Sequence, residues 1–380
     1  MRKFCCLVIF FSTIAVAKEF DFADDAFDIG EQKEIKNWTF GLSHTQAHNN
    51  DYTYLQRSSL DYKWQARINQ KLYGKLALKY DIFGAQDSNK PNTEESQWQE
   101  TWLQYGLNDQ CSVKLGKQNI LWGEVEGTQA LDVITPIDYT QVFTTDFASL
   151  RNLPWSMVLA CFRGKWNWHS FVTPNAEGNI SQDNIKAKDL GNEVGIKLSH
   201  TGERKTISLY AASLVANQAT IEDEQYPKYN LLGASSSSNH QGWLLKWDIA
   251  LKDKSEIIDT SETGKRLDAA IGVEHLTDKQ HQWTVSLWQA QYLDESAQHK
   301  AQDLTAIIQW QKDYFSEQLQ LNALYMNLIK PKSHSLRLSL DYKYNDFITF
   351  TTAVTGSGSE MQPNPLGEDK TLLASLNMVF

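Results

Sequence analysis

Apolar and polar positions alternate with a period of two along most of the chain. In residues 241–252, Trp243, Leu245, Trp247, Ile249 and Leu251 alternate with Lys246, Asp248 and Lys252. Leu60, Tyr62, Trp64, Ala66 and Ile68 alternate with Asp61, Lys63, Gln65 and Arg67, and Leu76, Leu78 and Tyr80 with Lys75, Lys79 and Asp81. The same spacing recurs at Val194, Ile196 and Leu198, at 318–325 and at 336–343. Alternation at this period predicts strands with one apolar and one polar face. Many runs approach ten residues, longer than the roughly 5–6 of a soluble sheet and long enough to cross a bilayer at a tilt. The polar set then faces a hydrated lumen.

Connections alternate between tight and long. Residues 199–205, 277–281, 313–316 and 344–346 read as tight turns, and 84–94, 174–188, 216–226, 253–264, 294–302 and 355–369 as long polar loops. Short periplasmic turns and longer outer loops characterise outer-membrane barrels. The predicted fold is therefore an all-β, transmembrane, antiparallel up-and-down barrel. An even strand number gives about 18 if 229–234 is a short strand, with 16 as the alternative.

Composition supports this reading. The chain carries 13 Trp, 15 Tyr and 16 Phe, yet its mean hydropathy is −0.47, and no run of about 18 apolar residues follows the N-terminal stretch. Arg2 and Lys3, the apolar run from Phe4 to Val16 and the small residues Ala15 and Ala17 predict a signal peptide over 1–17 rather than a retained anchor. Residues 18–34 then form a periplasmic segment and 35–380 the barrel. Losing Arg2 and Lys3 takes Lys+Arg from 36 to 34 against 46 Asp+Glu, a formal net charge of about −12. That balance argues against nucleic acid as a partner.

At the C-terminus Leu372, Ala374, Leu376, Met378 and Phe380 share one face. An apolar strand ending in an aromatic residue resembles the signal read by the barrel assembly machinery, which assigns Leu376, Met378 and Phe380 to assembly. The expected surroundings are outer-membrane lipid and lipopolysaccharide of a Gram-negative cell.

Residues 119–154 break the alternation. This longest connection is rich in apolar residues: Leu121, Trp122, Val125, Leu131, Val133, Ile134, Phe143 and Phe147. Apolar residues in a loop need a place to bury, and the barrel interior offers one, so the segment reads as folded inward to narrow the pore; an outer cap is the alternative. The pore-lining candidates are Trp122, Glu124, Glu126, Asp132, Pro136, Asp138 and Arg151. Gly123 and Gly127 suit sharp turns. The carboxylates of Glu124, Glu126, Asp132 and Asp138 need cations if buried, and Lys75, Lys79, Lys114 and Arg151 are the lumen-facing candidates. These acids either pin the loop to the wall or set selectivity directly.

The order Gly116-Lys117-Gln118, Trp122-Gly123-Glu124, Asp132, Pro136-x-Asp138 and Pro154-Trp155 resembles a largely uncharacterised Gram-negative outer-membrane barrel family, itself distantly similar to alginate-export and porin-like barrels. The resemblance covers about 40 residues, with Thr135 standing where Asn is expected. It implies a non-enzymatic outer-membrane channel or transport component for solutes or hydrophobic molecules. It also implies an inner-membrane permease of the RND type and a LolA-like periplasmic carrier as partners.

Two other classes compete. A barrel lipase needs a nucleophile beside a base; Ser43-His44, His169-Ser170, Ser199-His200 and Ser333-His334 are neighbours in sequence, but adjacent strand residues face opposite ways. No Gly-x-Ser-x-Gly elbow occurs. A structural or adhesive barrel would have no through-path. The scattered His residues predict no metal site, and nothing calls for a cofactor. Cys111 and Cys161 flank the inward loop; they would form a disulfide if their strands pair, or remain two small apolar residues.

Overall fold

The computed structural model describes residues 38–48, 53–84, 93–138, 150–180, 187, 189–218, 226–256, 263–294, 302–330, 332–360 and 370–380. The expected signal peptide and periplasmic segment lie outside these residues. The strands are β1 (Trp38–His48), β2 (Thr53–Arg67), β3 (Leu72–Phe83), β4 (Thr93–Trp98), β5 (Thr101–Asn108), β6 (Cys111–Lys117), β7 (Trp155–Arg163), β8 (Trp166–Thr173), β9 (Glu193–Thr201), β10 (Lys205–Val215), β11 (Lys228–His240), β12 (Trp243–Glu256), β13 (Thr263–Leu276), β14 (His281–Tyr292), β15 (Gln302–Tyr314), β16 (Leu319–Lys330), β17 (Ser333–Lys343), β18 (Ile348–Ser359) and β19 (Lys370–Val379).

Apart from β4 and β5, each strand pairs antiparallel with its sequence neighbours, and β1 pairs with β19 from Gly41↔Val379 to His48↔Leu372, so the sheet closes. Both β4 and β5 pair with β3. They are two halves of one barrel strand, which makes the barrel 18-stranded. Their interruption is a bulge. The Gln99 N–H donates to the Ala77 carbonyl at 2.9 Å, and the Ala77 N–H to Thr101 Oγ1 at 3.1 Å. The extra residue brings Glu100 to the inner face, where it meets Lys75 at 2.5 Å and Trp102 Nε1 at 2.8 Å.

The strand expected over 229–234 is 13 residues long. It continues through the serines, which read as loop because they are polar. Here the inward Ser235 meets Tyr210 Oη at 2.8 Å, and the Ser236 hydroxyl, opposite the outward Trp247, donates to the backbone carbonyl of Thr206 at 2.8 Å. A polar lumen suits an inward serine such as Ser235 within a strand as a soluble core does not.

Facing residues fall cleanly into two sets. Outward positions are exposed and apolar, as in Leu245, Trp247, Ile249 and Leu251 of β12. The alternate positions Lys246, Asp248 and Lys252 are buried. Among the described residues no helix is long and apolar enough to cross a membrane; this chain crosses with strands. A closed ladder leaves no unpaired edge in hydrocarbon, and its apolar outer face places the barrel in the outer membrane. The hairpins at β9–β10, β13–β14, β15–β16 and β17–β18 turn tightly at the end that also holds Trp38 and Phe380. The Phe40 N–H donates to the Phe380 carbonyl at 3.1 Å there, and the Phe380 N–H returns to the Phe40 carbonyl at 2.7 Å. This short-turn end is the periplasmic one.

Candidate functional site

Residues 118–138 leave the far end of β6 and contact inward-facing side chains of strands from β7 to β15. One short segment reaches that many strands only from inside the barrel. Three inward glycines on alternate strands make room for it. A Cβ on Gly195 of β9 would lie 2.6 Å from Trp122 Cη2, one on Gly233 of β11 2.4 Å from Leu131 Cδ2, and one on Gly272 of β13 3.0 Å from Val125 Cγ1. Glycine inside a strand marks such close approaches.

Trp122 is buried against Phe171 of β8 and Tyr210 of β10, with ring centroids 5.4 and 5.1 Å apart. Ile120, Leu131, Ile134, Val158, Leu214, Tyr229, Leu231 and Ala250 complete one apolar cluster between segment and wall. Val125 and Ala130 join Ala270 and Trp288 in a second. Burial of this kind is worth roughly 1.5–3 kcal/mol per large side chain.

Polar contacts fix the register. Asp248 of β12 accepts the Glu124 N–H at 2.9 Å on one carboxylate oxygen and the Val125 N–H at 3.0 Å on the other. Gly123 permits this with φ +91°, and a Cβ there would lie 2.6 Å from Asp248 Oδ2. Two consecutive N–H groups after a residue of positive φ form a concave anion seat; here the anion is a side chain of the wall. The same strand supplies Lys246, 3.6 Å from Glu126 and 2.5 Å from Glu274, and Lys252, which donates to the Gln129 carbonyl at 3.5 Å and pairs with Asp268 at 2.5 Å.

The neck of the segment is closed by Thr135. Its hydroxyl accepts the Ile120 N–H at 3.2 Å and donates to the Ile120 carbonyl at 3.3 Å. The residue that departs from the resembled motif thus has a structural task. Asp132 and Arg151 form a two-pronged ion pair, one prong at 3.0 Å. The Asn152 N–H donates to the Pro136 carbonyl at 2.9 Å and the Asp138 N–H to the Leu150 carbonyl at 2.7 Å, so the outgoing and returning chains pair briefly. Residues 139–149, with Phe143 and Phe147, lie outside the described residues.

The structure therefore distributes the sequence candidates unevenly. Trp122, Glu124, Glu126, Asp132, Pro136, Asp138 and Arg151 all belong to the inward segment or its neck. Lys75, Lys79 and Lys114 face inward but engage the wall. Lys75 meets Glu100, Lys79 lies 3.4 Å from Asp81, and Lys114 sits 4.4 Å over the Trp102 ring. Among the described residues, Arg151 pairs with Asp132 and Lys246 with Glu126. Sequence reasoning missed Asp248 and the glycine seats. Their signal was Gly195, Gly233 and Gly272 on the polar faces of alternating strands.

Cys111 and Cys161 stand directly opposite each other on β6 and β7, Cα atoms 4.1 Å apart, joined by a disulfide. It ties the two strands that carry the inward segment, at the short-turn end. Leu376 and Met378 lie on the outward face of β19, and Leu376 is opposite His44 of β1. Of the sequence-adjacent Ser–His pairs, Ser199 is buried against Ser208 at 2.8 Å, while His200 packs edge-on against Trp166 on the outward face. One cross-strand contact does occur, His44 Nδ1 to Ser58 Oγ at 2.8 Å on the outward face.

No protein-family model and no curated protein matches the chain. Solved structures do. The OccK1 (OpdK) structure from Pseudomonas aeruginosa is 8% identical with a TM-score of 0.58, covering 90% of this chain and 98% of that one. OccD3 (OpdP) of the same organism is 10% identical with a TM-score of 0.53, over 91% and 92%. OccK2 (OpdF), solved in complex with glucuronate, is 7% identical with a TM-score of 0.57, over 90% and 97%. These likenesses show an outer-membrane porin fold. The resemblance over 116–155 rests on those residues alone.

Proposed function

We propose that the protein is a non-enzymatic outer-membrane channel for small solutes, narrowed by residues 118–138. The observation that carries this reading is the seating of that segment against β7–β15, with Asp248 holding its backbone. The opposite wall offers a lumen a mixed lining. Arg57, Asp61 and Lys63 of β2, Lys79 and Asp81 of β3, and Arg337 and Asp341 of β17 share the inward face. Leu324, Met326 and Leu328 of β16 face the same way beside them. Charge of both signs with an apolar stripe suits small polar solutes bearing a nonpolar edge. A permease and a periplasmic carrier remain proposals, carried by the sequence resemblance.

Proteoliposomes swelling in isotonic small sugars and glucuronate test the reading. The assembled protein is expected to swell them faster than empty vesicles. No swelling with a correctly folded barrel would favour a purely structural role. The lipase alternative requires Ser58 to act as a nucleophile through His44, and hence to react with a fluorophosphonate probe. A lipase also needs placed donors for the oxyanion. The channel reading expects no labelling at Ser58.

A further inference from the structure

At the short-turn end of β14 and β15, the membrane-facing surface holds a cluster with more donors than acceptors among the described residues. Trp310 Nε1 lies 3.1 Å from His281 Nδ1, and Lys312 Nζ lies 2.9 Å from His281 Nε2. Indole N–H and ammonium are donors only, and a neutral imidazole accepts at one nitrogen. One ring nitrogen therefore presents a proton to another donor. The tautomer that accepts from Trp310 leaves His281 Nε2–H and the Lys312 ammonium side by side. Two convergent donors, one of them charged, call for an anionic oxygen between or in front of them.

The surroundings identify where that oxygen comes from. Lys312 is steadied by the Lys279 carbonyl of the turn at 3.1 Å and lies 5.0 Å from the centre of the Tyr314 ring. Trp283 and Trp310 pack 6.3 Å apart on the same face, and Phe315 beyond Tyr314 is 73% exposed. Exposed aromatic rings at this level mark the membrane–water interface. The register shows that His281, Trp283, Trp310 and Lys312 all point outward, to lipid and not to the lumen. The feature is also one-sided. Outward positions at this end include Arg163 of β7, His200 of β9 and Lys205 of β10. On β16–β19 they are Leu319, Tyr342, Phe350 and Met378.

We infer that His281 and Lys312 form a binding site for the phosphate of an inner-leaflet phospholipid headgroup. The phosphate oxygen accepts from both side chains, and Trp283, Trp310, Tyr314 and Phe315 flank the glycerol and upper acyl chains. This holds the β14–β15 hairpin at a fixed depth in the bilayer. It rests on the barrel's membrane placement and is independent of what passes through the lumen.

Native mass spectrometry of the full protein in micelles doped with phosphatidylglycerol tests the site. The wild type is expected to retain at least one phosphatidylglycerol. Lys312→Gln is expected to bind it about tenfold more weakly, the loss of one charge-assisted contact. Lys312→Arg, which keeps a charged donor, should retain binding, and it covers the case in which Lys312→Gln does not assemble. Lys228→Gln, an outward lysine at the opposite end of the barrel, should bind as wild type. Equal retention by wild type and Lys312→Gln, or loss in Lys312→Arg with the barrel folded, would overturn the proposal. Displacement of the lipid by millimolar inorganic phosphate would also overturn it, because the site would then recognise free phosphate and not a lipid.

Discussion

Replacing Trp122 by Ala is expected to loosen the inward segment while the barrel stays closed. The indole fills the space between Phe171, Tyr210 and the glycine at 195. Those walls belong to paired strands of a closed ladder and cannot collapse into the gap. Truncating a buried aromatic costs about 3–5 kcal/mol when the site relaxes little. The cost falls on local opening, because the ladder itself loses nothing. Single-channel recordings should show a higher and noisier conductance, and limited proteolysis should cut within 118–138. The heat-modified mobility of the folded barrel on gels should match wild type. A variant with wild-type conductance and proteolytic resistance would mean that Trp122 does not hold the segment.

Asp248→Ala is the second large effect. Both carboxylate oxygens are occupied by backbone donors from a segment 123 or 124 residues away in sequence. Removing the side chain leaves the Glu124 and Val125 N–H groups without their acceptor beneath the segment. An unsatisfied buried donor costs about 1–3 kcal/mol, so the pair amounts to roughly 2–6 kcal/mol of anchoring. Hydrogen exchange reads this directly. The amides of Glu124 and Val125 should be protected in the wild type and exchange at least tenfold faster in Asp248→Ala. Asp248→Asn keeps one acceptor oxygen but turns an amide NH₂ toward the other donor, so intermediate exchange is expected. Unchanged protection in Asp248→Ala would show that apolar packing alone seats the segment.

The sequence made the barrel legible because period-two alternation is local: Trp243 to Leu251 announce the outward face of β12 without help from the rest of the chain. The inward segment was legible for the opposite reason, as apolar residues placed where no strand pattern could bury them. What seats it was not. Gly195, Gly233 and Gly272 stand on strands that become neighbours of 118–138 only after the barrel closes. Asp248 looked like one more polar residue of a lumen face. The four acids of the segment invited a search for cations, yet the chief anchor is a wall carboxylate gripping the segment's backbone. Lys75 was drawn away by Glu100, which faces inward only because of the bulge between β4 and β5. The serines of β11 concealed a full-length strand because polarity alone does not distinguish a loop from a lumen wall.

In the proposed channel, residues 118–138 lie inside a conducting barrel and narrow it. The most direct measurement is single-channel conductance after residues 123–131 are replaced, one for one, by alternating Gly and Ser. This keeps the chain length and removes Val125, Leu131 and the turn that meets Asp248. A folded barrel with a conductance clearly above wild type is expected. A folded variant with unchanged conductance, or a wild-type barrel that does not conduct, would contradict it.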